Sequence, residues 1–119
     1  MKESKEILEL VVKAADAKRA EDIVALDVQN VSLLADYFVI CSGTNERQIQ
    51  AIVNEVVDQA EQAQIEVKRI EGKDSAKWIL IDLNDVIVHV FSQTERDFYN
   101  LEKLWSDAPY APINDWIDA

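Results

Sequence analysis

A single cysteine, Cys41, stands in the sequence. It excludes an intrachain disulfide and fits a reducing compartment. Histidine is equally scarce, with His89 alone. One His and one Cys do not make the closely spaced ligand set that zinc requires, and no cofactor is expected. The chain holds only two glycines and two prolines and has no internal repeat or low-complexity tract. No apolar run approaches the ~20 residues that span a bilayer. The opening stretch MKESKEILELVVKAADAKR is too acidic for a transit peptide and lacks the uninterrupted apolar segment of a signal sequence. A cytoplasmic protein is expected. Positive charge is short as well: 12 Lys and Arg face 23 Asp and Glu, for a net charge of −11. Residues 1–20 are balanced, with five bases and four acids, whereas residues 21–66 carry nine acids and only Arg47. Such a field repels a phosphate backbone and suits a basic protein partner, with little direct nucleic-acid contact.

What is present is apolar and periodic. Hydrophobic residues make up 49% of the 119, enough for one domain with a real core. Residues 1–108 read as a single α/β domain and 109–119 as an extended tail. ILELVVKAADAKR puts Ile7, Leu8, Val11, Val12 and Ala15 on one helical face. Lys18 and Arg19 fall in its last turn, where cations suit the helix dipole. DIVALDV (22–28) alternates like a strand. DYFVICS (36–42) is apolar on both faces, as in a central strand. Thr44 is the expected N-cap of the next helix. There Ile49, Ile52, Val53, Val56, Val57 and Ala60 recur at i, i+3, i+4, i+7, i+8 and i+11. Three short strands follow in EVKRI, KWILID and DVIVHVF, then a helix over about 95–105 with Ser92 and Glu95 as a capping box. The order α-β-β-α-β-β-β-α predicts a mixed five-stranded sheet with helices packed on it, its short connections antiparallel and the long helix supplying one crossover. The tail APYAPINDWIDA holds both prolines. Its Trp116 and Ile117 are expected to dock, on this chain or on another.

Three stretches are candidates for chemistry. His89 lies mid-strand between Val88 and Val90 with no acid–base partner nearby in sequence, so a structural or recognition role outweighs catalysis. VICSGTNERQ is strand, small loop and helix, which cradles anions in some folds. It has one glycine, no lysine and no G-x-x-x-x-G-K pattern, so a capped helix start is the simpler reading. A nucleotidyl- or phosphoryl-transfer enzyme using the 41–45 loop is the alternative function. Cys41, on an apolar strand, reads as buried and inert. The hairpin at 78–91 says more. With a two-residue turn at 83–84 or 84–85, one face holds Ile79, Ile81, Val86, Val88 and Val90. The other holds Trp78, Leu80, Asp82, Asp85, Ile87, His89 and Phe91. That second face is either a protein-binding patch, with Trp78 as anchor and Asp82 and Asp85 on the rim, or a second core layer under a helix. Asp82 and Asp85 also suit turn chemistry alone.

DYFVICSGTNERQIQAI, WILIDLNDVIVHVF and SQTERDFYNLEKLW together resemble the ribosomal silencing factor family, RsfS or Iojap-related, over roughly residues 5–105. The matching motifs are D-Y-F-V-I at 36–40, T-x-x-R-Q at 44–48, D-V-x-V-H-V-F at 85–91 and R-x-F-Y-x-L-E-x-L-W at 96–105. Asn84 departs from the glycine common before Asp-Val, but Asn tolerates a left-handed backbone. The resemblance implies a nucleotidyltransferase-like fold without that chemistry, and paired metal-binding aspartates in a D-x-D strand are absent here. It further implies a non-enzymatic protein that binds large-subunit ribosomal protein L-fourteen on the intersubunit face. Such binding blocks subunit joining and represses translation. Weak self-association, as a homodimer, is expected through the mixed face or the tail.

Overall fold

The computed structural model describes residues 3–75 and 77–117; residues 1–2 of the first stretch and 118–119 of the tail lie outside it. Helix α1 (Ser4–Ala17) buries Ile7, Leu8, Val11, Val12 and Ala15, the stripe that its spacing predicts. A reciprocal capping box between Glu3 and Glu6 closes its first turn. The helix stops at Ala17, so Lys18 is its C-cap and neither Lys18 nor Arg19 stands in the last turn. Arg19 is left-handed at φ 60°. Its N–H donates to the Asp16 carbonyl (2.9 Å), and the Ala20 N–H reaches Ala15 (3.1 Å). This closure satisfies carbonyls that a helix end leaves free, and it sets where the helix ends.

Strands β1 (Glu21–Asp27) and β2 (Tyr37–Gly43) pair antiparallel, with a register shift between Glu21 and Val24. Helix α2 (Glu46–Gln62) crosses over, and β3 (Arg69–Glu71), β4 (Trp78–Asp82) and β5 (Val86–Ser92) follow. The sheet order is β1-β2-β5-β4-β3, and β2–β5 is its parallel pair. This is the mixed five-stranded sheet expected, in one α/β domain, with β2 internal. Two details differ. The N-cap of α2 is Asn45, whose Oδ1 accepts from the Gln48 N–H (2.8 Å), not Thr44. Thr44 instead gives both its N–H (2.6 Å) and its hydroxyl (3.0 Å) to Gln48 Oε1. The last helix is two: α3 (Gln93–Tyr99) and α4 (Leu101–Leu104), broken at Asn100, which sits at φ 46° and ψ 60°. The Asn100 side chain accepts from the Lys103 N–H (3.3 Å), so its short amide competes with the helical backbone and starts a new turn. Ser92 caps α3 by accepting from the Glu95 N–H (3.3 Å).

The β4–β5 hairpin closes at Asn84-Asp85: Asp82 faces Ile87, and the Leu83 N–H reaches the Val86 carbonyl (3.0 Å). Asn84 takes φ 72°, a conformation its side chain tolerates. The two-residue turn preserves the sorting of side chains. Ile79, Ile81, Val86, Val88 and Val90 join α1 and α2 in one core. Leu26, Phe38, Ile40, Ile87, Phe91, Leu101 and Ala108 form a second core on the opposite face. The tail docks on its own chain. Tyr110 bridges Leu26 on the edge strand β1, Asp27 N–H donates to Pro109 and Ala111 N–H to Ala25 (both 2.8 Å). Ile113 is then buried in the first core, with Trp116 and Ile117 packed against it. The prolines fit because an edge has ladder positions that need no N–H, and the tail covers an edge otherwise open to other chains.

With so few glycines, side-chain-bearing residues fill most of the left-handed sites among the described residues. Gln64, exposed at φ 60°, ends α2. A left-handed L-residue costs roughly 1–2 kcal/mol, partly offset in glycine by its freer unfolded state. Gln64→Gly is therefore expected to stabilise the fold by about 0.5–1 kcal/mol, raising Tm by about 2–4 °C in calorimetry; a lower Tm would contradict this account.

Candidate protein-binding face

The face formed by Trp78, Leu80 and their neighbours is an aromatic assembly built on two strands. Trp78 begins β4 opposite Phe91 of β5, and their rings stack at 5.0 Å and 27°. Tyr99 at the end of α3 lies on the indole at 4.5 Å. Phe98, 78% exposed, meets Tyr99 edge-on at 5.1 Å. On the other side, Phe38 of β2 is edge-on to both His89 (5.6 Å) and Trp105 (5.1 Å). Pairs of this geometry are each worth about 0.5–1.5 kcal/mol beyond buried area.

His89 is buried on this face. The Trp78 Nε1–H donates to its Nδ1 at 3.1 Å. Burial holds the imidazole pKa down to about 4, so it is neutral near pH 7. The native state then binds fewer protons than the unfolded chain below the ordinary histidine pKa. Stability from this residue is full above pH ~6.5 and falls as pH drops toward 4. Between pH 7 and 4.5 the loss is about 2–3 kcal/mol. His89→Gln, which has no titrating group, should flatten that part of the stability–pH curve in urea titrations; an unchanged slope would refute the assignment.

A buried arginine fixes α3 and α4 against the sheet. Arg96 forks onto Glu102, Nε to Oε1 at 3.1 Å and Nη2 to Oε2 at 3.4 Å. Its Nη1 donates to the Glu21 carbonyl (3.3 Å) and to Ser42 Oγ (3.2 Å). Two helices and two strands thus meet at one guanidinium.

The seven residues read from the sequence separate by depth. Trp78 and Leu80 are half-buried and Asp85 is exposed. Ile87, His89 and Phe91 are buried, with Ile87 and Phe91 in the core that includes Leu101 and Ala108. They form the second core layer, a support for the surface. Asp82 is buried too, because its carboxylate serves the turn: it accepts from the Asn84 N–H (2.9 Å) and meets Arg69 Nε (3.3 Å). It is a turn residue before it is a rim charge.

Exposed apolar groups that the sequence reading did not single out also stand on the surface. Tyr99 and Leu104 stand exposed on α3 and α4, and Val31, Leu33 and Leu34 on the loop before β2. The base of that loop is tied to the hairpin turn, Asp36 N–H to the Asp85 carbonyl at 2.8 Å. The signal available was the Leu33-Leu34 pair, apolar but with no periodic partners.

The 41–45 loop is largely engaged by its own chain. Cys41, Ser42 and Gly43 are buried, and the backbone N–H groups of Thr44 and Gln48 are taken by side chains. Burial pushes the Cys41 thiol up to about 12, against the opposing pull of Arg96. Among the described residues no group of three or more His, Cys, Asp or Glu is placed to hold a metal ion.

Comparison with known proteins decides the family. The pattern described as ribosomal silencing factor during starvation matches residues 1–118. The chain belongs to the ribosomal silencing factor family. It is 56% identical over 110 residues to the ribosomal silencing factor RsfS of Bacillus subtilis, covering 92% of this chain and 93% of that one. A crystal structure from Bacillus halodurans superposes with a TM-score of 0.82 at 50% identity, covering 91% of this chain and 98% of the other. The chloroplastic protein Iojap of Zea mays is a more distant relative, 34% identical over 98 residues, 82% of this chain and 42% of its own. Arg96, Leu101 and Glu102 hold the helical cover over the sheet. Among the described residues, no helix of this silencing factor is long and apolar enough to cross a membrane.

Proposed function

We propose that this silencing factor acts without catalysis, in the cytoplasm, by binding large-subunit ribosomal protein L-fourteen and blocking subunit joining. The observation that carries this reading is the half-buried Trp78, packed between Phe91, Tyr99 and His89 on one face of the sheet, with Phe98 and Tyr99 exposed beside it. A large, immobile aromatic loses little entropy on binding, and interface anchors are commonly of this kind. The net charge of −11 favours a basic protein surface over the surrounding RNA and speeds encounter with it. A body with extents of 33 × 32 × 30 Å, seated on the intersubunit face, occludes by bulk alone. The transferase alternative is disfavoured by the engaged 41–45 loop and by a histidine committed to an indole.

The test is sedimentation with isolated subunits, followed by subunit joining on density gradients. Binding to large but not small subunits, with fewer joined ribosomes, is expected. Co-sedimentation with neither subunit refutes the reading. Self-association is proposed through the same face, since Trp116 is already packed on its own core. Light scattering should show a weak dimer that large subunits dissolve; a strict monomer at high concentration counts against it.

A further inference from the structure

The Trp78–His89 pair fixes more than the indole. An indole Nε1 only donates, so the His89 Nδ1 that accepts it at 3.1 Å carries no proton. In a neutral imidazole the proton then belongs to Nε2. Among the described residues Nε2–H has no hydrogen-bond partner, whereas every fully buried side-chain nitrogen and oxygen has one. Nε2 therefore keeps contact with solvent, although the residue as a whole is 6% exposed. The result is one oriented donor, set among Phe38, Trp78 and Phe91, with nothing on this chain to receive it.

Resting on the reading of this face as the ribosomal contact, we propose that His89 Nε2–H is a specificity-determining donor that takes a neutral oxygen acceptor, a main-chain carbonyl of the partner protein, with Trp78 holding the required tautomer. A partner that covers Trp78 strips water from Nε2. It must then supply an acceptor or leave a buried donor unpaired, which penalises surfaces without one. A carbonyl suits the place better than a carboxylate or phosphate, because a chain of net charge −11 repels anions. The imidazole stays neutral throughout, and no proton is transferred.

Nitrogen-15 NMR of the full chain labelled in its one histidine gives the test, with purified ribosomal protein L-fourteen as the probe. The free protein at pH 7 should show protonated Nε2 and bare Nδ1. Trp78→Phe, which keeps a stacking ring but loses the donor, should show a mixture of tautomers. On saturation with L-fourteen, the Nε2 resonance should move and its proton should exchange more slowly. In parallel, His89→Phe should weaken large-subunit binding about tenfold, while His89→Gln, an amide able both to accept and to donate, stays within about threefold. A protonated Nδ1 in the free protein overturns the proposal. So does an Nε2 resonance that stays still while backbone amides of the face move, in which case the contact reading survives alone. If no resonance moves and Trp78→Ala binds subunits at full strength, the contact reading fails and takes this proposal with it.

Discussion

Replacing Arg96 by alanine is expected to cost about 3 kcal/mol of stability, by breaking a largely buried charge pair and its hydrogen bonds. Its side chain is 6% exposed and that of Glu102 is 27% exposed, so Glu102 can recover part of its hydration. This keeps the figure at the low end of what buried pairs lose. Tm should drop by about 10 °C in calorimetry. The damage should be local before it is global. Arg96 is the point where α3 and α4 meet the Glu21 carbonyl and Ser42, while the core under α1 and α2 does not depend on it. Amide hydrogen exchange should therefore rise first in residues 93–108, with the β2–β5 pairing protected. Arg96→Lys should behave more like Arg96→Ala than like wild type, because an ammonium cannot fork onto a carboxylate and still reach two further oxygens. A lysine variant with full stability would show that charge alone, rather than the planar fork, holds the cover in place.

This arginine also marks where sequence reading stops. The helical stripe of α1, the two-faced strand β2 and the parity of the β4–β5 hairpin were legible because each follows from a period of 3.6 or 2 within a dozen residues. The hairpin needed only a two-residue turn, and Asn84, at φ 72°, supplies it. The break at Asn100 was not legible. Phe98, Leu101 and Trp105 recur at helical spacing, yet Phe98 is 78% exposed while Leu101 is buried. What decides between them is the docking of α4, fixed through Arg96 to residues 54 and 75 positions away in sequence. The destination of the tail was open for the same reason. Nothing local to Tyr110 says that it bridges Leu26 of an edge strand. The candidate face itself was half legible. Alternation placed the seven residues on one side of the sheet. It did not tell the layer that supports, with Ile87, His89 and Phe91, from the layer that faces outward, with Trp78 and Leu80. Coverage is a tertiary quantity. The exposure of Leu33, Leu34 and Phe98 is likewise set by tertiary packing.

Trp78→Ala is expected to weaken large-subunit binding by at least about thirtyfold, since truncating a central aromatic anchor typically costs ~2 kcal/mol or more. The same change must also lower stability, because the indole stacks on Phe91 and Tyr99 and bonds to His89. Removing a half-buried tryptophan should cost about 2 kcal/mol, or several degrees of Tm. The protein stays folded, because the strand pairing around the site is backbone-made. The two effects separate with a control on the opposite face. Ile113, 6% exposed, lies in the core under α1 and α2, and Ile113→Ala should cost a similar 2–3 kcal/mol while binding normally. Trp78→Phe should fall between, keeping the stack and losing the indole donor. Salt sharpens the comparison. Asp85→Lys should slow association most at low ionic strength, because an exposed charge steers an encounter without anchoring the bound state. Asp82→Lys should instead loosen the turn, since its carboxylate holds the Asn84 N–H and Arg69. Measured side by side, a folded Trp78→Ala that still co-sediments at full strength, or an Ile113→Ala that loses binding equally, would mean that Trp78 belongs to the core of the fold and the partner sits elsewhere.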